Sequence, residues 1–164
     1  MKHQSVAIVV VTYNRADLLR GMLASLEEQT RPADAIYVVD NASTDNTQAV
    51  LRDFGHLPLH VTRSAQNTGG AGGFHVGLRT AFEDGHDCFW LMDDDVRPAA
   101  QCLERLLEAG HECMIATRED SSGHLVEKAA IEFDLSNVFV LHPKRSTIDS
   151  TYALRQDMPS AVEV

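Results

Sequence analysis

The chain has 164 residues and a formal net charge of −10, because 14 Lys and Arg stand against 24 Asp and Glu. This length suits a single domain with a hydrophobic core of its own. The acidic balance argues against a general nucleic-acid binder, which needs a basic face, but it is compatible with a nucleotide held through a cation.

The cysteines and the first apolar run favour a reducing compartment over secretion. Cys88, Cys102 and Cys113 fit no zinc-binding spacing and are expected to be free thiols. The apolar run at 6–11 is far shorter than the roughly 20 residues of a membrane span, and no small-residue cleavage site follows it. The sequence therefore predicts a cytoplasmic protein. Peripheral contact with the inner face of the plasma membrane is a second possibility, which no pattern in the sequence indicates or excludes.

Apolar runs and helical periods alternate along the chain. The β-branched run at 6–11 is typical of a central parallel strand, and Leu19, Met22 and Leu26 recur at helical spacing. Ser43 or Thr44 is predicted to be an N-cap. The order predicts an α/β fold, a mostly parallel sheet with helices on both faces. The predicted elements are strand 6–11, helix 16–28, strand 36–39, helix 45–54, strand 59–61, helix 74–83, strand 88–92, helix 98–107, strand 113–117 and weaker strands at 126–133 and 138–141.

Polar residues follow the predicted strands, and in open parallel sheets ligands bind beyond the carboxyl ends of the strands. The segments at 12–15, 40–43 and 93–95 follow the first, second and fourth strands, and Asn67 leads into the glycines after the third. We therefore expect these groups to gather along one edge of the sheet.

A predicted loop at 66–73 contains four glycines and matches neither a dinucleotide-binding fingerprint nor a P-loop. One interpretation is a flexible loop. The other is a backbone that a ligand approaches closely, with amides and a helix N-terminus behind it. Four glycines cost considerable chain entropy on folding. We therefore favour the interpretation in which a ligand approaches the backbone closely.

The acidic triplet at 93–95 has two interpretations as well. In extended backbone Asp93 and Asp95 point to the same side and Asp94 to the other. Two carboxylates at a strand end suit Mg²⁺ or Mn²⁺, which could bind the phosphates of a nucleotide. The alternative is an exposed acidic loop before a helix. The position beside Asp40 and the glycines favours the cation.

These motifs together resemble the nucleotide-sugar half of family 2 glycosyltransferases of the GT-A fold, a Rossmann-like αβα sandwich. The glycine loop with the acidic triplet is similar, more narrowly, to bacterial galactofuranosyltransferases of cell-wall synthesis, and rhamnosyltransferases have a similar loop. The resemblance covers roughly residues 5–118. The matching segments are those at 9–15 (VVVTYNR), 38–45 (VVDNASTD), 67–70 (NTGG) and 93–95 (DDD).

The resemblance implies a site for a nucleotide-sugar donor. Thr12 and Asp40 would line the uracil and ribose, Tyr13 and Arg15 would lie near the base and diphosphate, and Asn67 would face the nucleotide. The implied donor-binding set is Thr12, Tyr13, Asn14, Arg15, Asp40, Asn67, Gly69, Gly70, Asp93 and Asp94, with Asp93 and Asp95 holding Mn²⁺ or Mg²⁺.

The resemblance also implies the reaction, an inverting transfer of galactofuranose or rhamnose from a donor such as a UDP-sugar to a cell-wall glycan or lipid-linked acceptor. Residues 1–118 would form the donor-binding core and 119–164 the start of an acceptor-side region. Such transfer needs a carboxylate as general base. No carboxylate after Pro98 lies in a familiar motif, so we expect the base downstream of Val164 and little transfer by this chain alone.

Other protein classes fit less well. A sugar-nucleotide nucleotidyltransferase needs a glycine- and arginine-rich loop after the first strand, where 12–15 reads TYNR. A phosphoacceptor domain needs an acidic pair there and a downstream lysine at a strand end. A degenerate nucleotide-binding domain without catalysis stays open.

Overall fold

The computed structural model describes residues 4–110, 116–119, 122 and 160–163. Within these residues a four-stranded sheet and its helices form the core, and three short strands form a second sheet. The elements are β1 (Val6–Thr12), α1 (Ala16–Glu27), β2 (Ala35–Asp40), α2 (Thr47–Asp53), β3 (Leu59–Arg63), α3 (Gly69–Glu83), β4 (Cys88–Asp93), β5 (Val96–Pro98), α4 (Cys102–Ala109), β6 (Thr117–Glu119) and β7 (Ser160–Glu163).

The main sheet has the strand order β3-β2-β1-β4, and all of its neighbouring strands are parallel. Strand β1 is central because its β-branched run is buried on both faces. Thr12 is paired with Asp40 of β2, and Val11 is paired with Asp93 of β4. The predicted parallel sheet is confirmed, and its register brings the ends of three strands to one edge.

The two faces of the sheet are covered by different helices. Ile8 and Val10 face a cluster that includes Leu19 and Met22 of α1, whereas Val9 faces a smaller cluster under α3. These five residues are each at most 1% exposed. The predicted layering, with helices on both faces of the sheet, is therefore confirmed.

The prediction of a glycine loop at 66–73 is wrong for most of its length, because helix α3 begins at Gly69. A Cβ on Gly73 would lie 2.5 Å from Cγ1 of Val11, and one on Gly77 would lie 2.6 Å from Cγ1 of Val9. These glycines let the helix lie close to β1. The packing that they allow offsets the roughly 1 kcal/mol that each glycine costs in a helix relative to alanine.

The predicted N-cap of the second helix is also wrong. Helix α2 begins at Thr47, after both Ser43 and Thr44. The Oδ1 atom of Asp45 accepts hydrogen bonds from the backbone N–H of Thr47 at 3.0 Å and from its Oγ1 at 2.6 Å. Asp45 therefore does the work that the sequence had assigned to its neighbours.

Pro98 closes strand β5 and does not start a helix, because α4 begins only at Cys102. The Gln29 side chain connects the two elements: its Nε2 donates to the carbonyl of Ala99 at 2.8 Å, and its Oε1 accepts the N–H of Leu103 at 3.1 Å. Gln29 therefore supplies an acceptor to the start of α4, which has no side-chain cap from Gln101, its own N-cap residue.

The second sheet has the order β5-β7-β6, with β7 antiparallel to β5 and parallel to β6. Of the strand predicted at 113–117, residues 113–115 lie outside the described part of the chain, as do the strands predicted at 126–133 and 138–141. Cys88 and Cys102 are free thiols, and Cys113 lies outside the described residues. None of the described helices combines the length and apolar character that crossing a membrane requires. The division at residue 118 stays a prediction.

Candidate functional site

The strand order places a crevice at the carboxyl end of β1. Strand β2 lies on one side of β1 and β4 on the other, so the connections that leave these strands diverge. Ligands of open α/β sheets bind at such a switch point. The segments 12–15 and 93–95 flank it, which makes this edge the candidate site.

Thr12 and Asp94 form a buried pair at the base of the crevice. The Oγ1 of Thr12 donates to Oδ2 of Asp94 at 2.7 Å, and the two residues are 1% and 3% exposed. Nη1 of Arg15 donates to Oδ1 of Asp94 at 3.3 Å. The side chains of Thr12 and Asp94, both in the predicted donor-binding set, are therefore engaged inside the protein.

Burial and the nearby charge of Arg15 shift the pKa of the Asp94 carboxyl in opposite directions. Burial raises the pKa of the Asp94 carboxyl, although the hydrogen bond from Thr12 and the charge of Arg15 oppose it. The Asp94 carboxylate in turn raises the pKa of the Arg15 guanidinium. Arg15 is half exposed, so water screens its charge, which explains why burial prevails at Asp94.

The acidic triplet divides by burial. Strand β4 ends at Asp93, and Asp94 and Asp95 lie in the turn before β5. The assumption of extended backbone through Asp95 is therefore wrong. Asp94 nevertheless differs from its two neighbours, because it is the buried one. The Asp93 side chain is exposed and makes no hydrogen bond or ion pair within residues 4–110, whereas Oδ2 of Asp95 accepts from Nη1 of Arg15 at 3.1 Å.

No group of three or more His, Cys, Asp and Glu side chains that could hold a metal occurs among the described residues. Asp93 and Asp95 offer two carboxylates, which are hard oxygen ligands. Mg²⁺ and similar cations are often bound through one or two carboxylates, with water and substrate phosphates supplying the other ligands. The donor set therefore fits a cation that binds together with a diphosphate, provided that Arg15 releases or shares Asp95.

Asp40 is fully buried and is surrounded by protein donors. Its Oδ1 accepts the N–H of Ser43 at 2.8 Å, and its Oδ2 accepts Nε2 of Gln48 at 2.5 Å and lies 3.6 Å from Nε of Arg63. Arg63 also donates through Nη2 to the carbonyl of Ser43 at 2.9 Å. Asp40 thus shapes the loop after β2, and a ligand would reach its carboxylate only by displacing Gln48 or Arg63.

Asn41 connects this loop to the start of α3. It is 1% exposed; its Oδ1 accepts the N–H and Oγ1 of Thr68 at 3.1 and 3.2 Å, and its Nδ2 donates to the carbonyl of Gly69 at 2.9 Å. Oδ1 of the exposed Asn67 accepts the N–H of Gly69 at 2.8 Å. Gly69 has φ +73, and a Cβ added to it or to Gly70 would meet nothing within 4 Å. The start of α3 is therefore held firmly and open on its outer side.

The loops after β1 and β2 are hydrogen-bonded to each other. Asn14, with φ +53, accepts the N–H of Thr44 through Oδ1 at 2.7 Å and donates its own N–H to Oγ of Ser43 at 3.0 Å. Asp45 accepts the N–H of Ala16 at 2.9 Å through Oδ2. Tyr13 makes no such bond within the described residues and is 44% exposed beside them.

Asp45 therefore bonds to the start of α1 as well as to that of α2. Desolvation acts to raise the pKa of its carboxyl, but the hydrogen bonds from the Thr47 side chain and from the N–H groups of Ala16 and Thr47 outweigh this and lower it. The carboxylate form is the one that holds the two loops.

Three hydrogen-bonding residues of the site were assigned no role from the sequence, although Asn41 lies in the segment 40–43 after the second strand. Asn41, Gln48 and Arg63 carry much of the hydrogen bonding, yet Gln48 lies in helix α2 and no motif marks it. Arg63 had a usable signal, because it ends β3 and is the register partner of Asp40.

Residues 7–145 match the family model described as Glycosyl transferase family 2. The chain is 38% identical over 107 residues to galactofuranosyltransferase GlfT1 of Mycolicibacterium smegmatis, covering 65% of this chain and 35% of the relative. It is 32% identical over 148 residues to GlfT1 of Mycobacterium tuberculosis, covering 88% of this chain and 48% of the relative. The chain thus spans between about a third and a half of the length of these curated relatives.

Solved structures share the fold. The S. aureus TarS structure with UDP-GlcNAc has a TM-score of 0.65 and 23% identity and covers 77% of this chain and 38% of that one. The Pyrobaculum calidifontis mannosyltransferase PcManGT with GDP-Man and Mn²⁺ has a TM-score of 0.60 and 26% identity, over 72% of this chain and 36% of that one. The GT-A architecture expected from the sequence motifs is confirmed by these neighbours.

Proposed function

Because the chain belongs to glycosyl transferase family 2, we propose that it binds a nucleotide-sugar donor, a UDP-sugar, at the carboxyl edge of its main sheet. The observation that carries the proposal is the juxtaposition at the switch point. The exposed Asp93 ends β4, and the half-buried Asp95 lies in the turn that follows. Arg15 reaches both Asp94 and Asp95, and β1 lies between this turn and the open start of α3.

The proposed contacts divide by chemistry. Tyr13 is the exposed ring available to a base, and Gly69 and Gly70 leave space for a ligand to approach backbone. Thr12, Asn14, Asp40 and Asp94 act from beneath by holding the loops. Asn67 stays a proposed contact through its amide nitrogen, because its oxygen is engaged with Gly69.

Asp93 and Asp95 are the proposed ligands of Mn²⁺ or Mg²⁺. A divalent cation there would supply charge that stabilises a leaving diphosphate. Arg15 exchanges its partner in this proposal: with the cation on Asp95, its guanidinium is free to pair with a phosphate oxygen, for which its planar fork of donors is suited. The Mn²⁺ in the mannosyltransferase structure supports a divalent cation in this fold.

The names of the curated relatives support galactofuranose as the sugar, with rhamnose as the alternative. The proposed acceptor is a cell-wall glycan or lipid-linked saccharide, and the transfer inverts the anomeric configuration. Because the chain spans at most about half of these relatives, the general base is proposed to correspond to a part of the relatives that this chain does not cover. We propose donor binding without robust transfer for these 164 residues, in the cytoplasm or at the inner membrane face.

A thermal-unfolding panel tests the donor site. UDP, TDP and GDP are each added with and without Mn²⁺ to the wild-type chain and to Asp93→Ala. UDP with Mn²⁺ should stabilise the wild type by about 2.7 kcal/mol at 100 times its Kd, and Asp93→Ala should lose most of this gain. Asp17→Ala removes an exposed carboxylate in the first turn of α1 and is the matched control.

The panel can also contradict the proposal. If no nucleotide stabilises the wild type in the presence of Mn²⁺, donor binding by this chain is wrong. If GDP stabilises it and UDP does not, the site binds a different donor nucleotide and the UDP assignment is wrong. Rapid sugar transfer to an acceptor by the 164-residue chain would contradict the proposal that the general base lies outside these residues.

A further inference from the structure

We propose that Arg97 is a positioning residue, which by lying on Gly21 of helix α1 fixes the acidic triplet 93–95, with Asp93 at the end of β4 and Asp95 in the turn that follows. The inference rests on the proposed function in one respect, namely that these two carboxylates are the ones that bind the cation. Arg97 itself touches neither the proposed donor nor the cation.

The contact between Arg97 and Gly21 is close. A Cβ added to Gly21 would overlap the Cζ, Nη1 and Nη2 atoms of Arg97, so the guanidinium occupies the space that a side chain at position 21 would need. Gly21 lies in the interior of α1, where glycine is less favourable than alanine. The helix therefore forgoes a better residue at the one place where Arg97 lies against it.

Helix α1 and the residue before it consequently contact the segment around the acidic triplet at two points. Arg15, which directly precedes the helix, pairs with Asp94 and Asp95. Gly21 lies six residues further on, which corresponds to about 9 Å along the helix axis. Arg97 follows Asp95 by two residues, so the turn is held on one side by Arg15 and on the other by the guanidinium on Gly21. Val96 between them packs against the core cluster that α1 shares with β1.

The Arg97 side chain carries an unusual local cost. Its Nη1 is buried and finds no acceptor among the described residues. A buried charged donor without a partner is unfavourable, and an apolar side chain would pack against a glycine without that penalty. The contact thus combines two locally unfavourable features, a glycine inside a helix and a buried donor without an acceptor. Such features are expected where a functional site must be held in place. The proximity to Asp95 indicates which site this is.

Backbone amide shifts test the positioning without any ligand. Gly21→Ala is introduced into the wild-type chain and into Arg97→Met, and ¹H–¹⁵N spectra of the 164-residue chain are compared. In the wild type the added methyl displaces the guanidinium, so the amides of Asp93, Asp94 and Asp95 should shift. In the Arg97→Met background they should not shift, because the flexible thioether chain can move aside.

Two further variants sharpen this comparison. Arg20→Met, next to Gly21, removes only the exposed ion pair with Asp53 and should leave the three amides in place. Arg97→Lys, which lacks a planar group to lie on Gly21, serves as the second background if Arg97→Met does not fold. The inference is overturned if Gly21→Ala shifts the three amides equally with and without Arg97, or shifts them in neither.

Metal affinity gives a second measurement that a purely structural role would not change. Arg97→Met should weaken Mn²⁺ binding in the presence of UDP by roughly tenfold, as loss of a residue that orients metal ligands commonly does. The affinity for UDP without metal should stay unchanged. An equal loss of both affinities would overturn the positioning role. If the wild type binds no UDP at all, the proposed function fails, and the amide comparison still decides the inference.

Discussion

The hydroxyl of Thr12 donates a 2.7 Å hydrogen bond to the carboxyl of Asp94, and both side chains are buried. This bond joins the end of β1 to the turn after β4, across the point where the strand order reverses. The only charged partner of Asp94 among the described residues is Arg15, which is half exposed. The geometry of the crevice therefore depends on a buried carboxyl whose nearest partner is a hydroxyl.

Thr12→Val should destabilise the chain by about 1–3 kcal/mol, because it leaves the buried Asp94 oxygen without its donor while keeping the shape of the side chain. Urea unfolding of both proteins measures the change. Thr62→Val on the exposed strand β3 makes the same substitution without a buried partner and should change stability by less than about 0.5 kcal/mol. Equal effects at the two threonines would contradict the role of the pair.

Asp45→Asn should remove a component of stability that depends on pH. The pKa of Asp45 is lowered from its ordinary value of 3.8, so the folded state binds fewer protons there than the unfolded state. The stabilisation is present above that value and is lost as the pH falls through the lower pKa of the folded state. Urea midpoints of wild type and variant should therefore differ most near neutral pH and converge in acid. A difference that is constant from neutral pH down to below 3.8 would contradict this assignment.

The parts of the fold that could be predicted from the sequence are those governed by local pattern. Continuous β-branched runs are buried on both faces, which is why β1 and β2 were located correctly. Because parallel strands end at one edge, Thr12, Asp40 and Asp93 were correctly expected to lie together.

The remainder depends on contacts between distant segments. Glycine has no apolar side chain to mark a helical period, so the first turns of α3 were assigned to a loop; only the packing of Gly73 and Gly77 on β1 explains them. The sequence set Asp94 apart from Asp93 and Asp95 by assuming extended backbone, which the turn contradicts, and its partner Thr12 lies 82 residues away. The hydrogen bonds of Asn41 to Thr68 and Gly69 likewise exist only once β2 and α3 are assembled.

Glycines 73 and 70 should respond oppositely to alanine. Gly73→Ala places a methyl 2.5 Å from Cγ1 of Val11 and should destabilise the chain by about 1–3 kcal/mol through overpacking. Gly70→Ala meets nothing within 4 Å and should stabilise the helix by up to about 1 kcal/mol. Urea unfolding measures both changes.

The Gly70→Ala variant also tests whether a ligand approaches the backbone at the start of α3. If the donor lies against the backbone at Gly70, Gly70→Ala should weaken UDP binding although it stabilises the fold. Isothermal titration with UDP and Mn²⁺ measures this affinity. Unchanged affinity in Gly70→Ala would show that the outer side of α3 is not approached by the donor.

Tyr37, on β2, provides a prediction outside the proposed donor contacts. Its hydroxyl donates to Oδ2 of Asp84 at 2.6 Å and lies 3.1 Å from Nε2 of His86, and its ring stacks on His60. Burial, together with the hydrogen bond to Asp84, raises the pKa of Tyr37 from 10.0 to about 12. An absorbance titration of the phenolate should therefore contain a transition near pH 12 that is absent in Tyr37→Phe.

The sign of the stability effect follows from the same shift. Between 10.0 and about 12 the folded state keeps a proton that the unfolded state has lost, so the stabilisation by Tyr37 is complete below 10.0 and falls as the pH rises through this interval. The stability gap between wild type and Tyr37→Phe should narrow there, while UDP affinity at neutral pH stays equal in the two proteins. Tyr13→Phe, at an exposed ring, is the control and should leave the transition near pH 12 in place. A transition that persists in Tyr37→Phe would contradict the assignment.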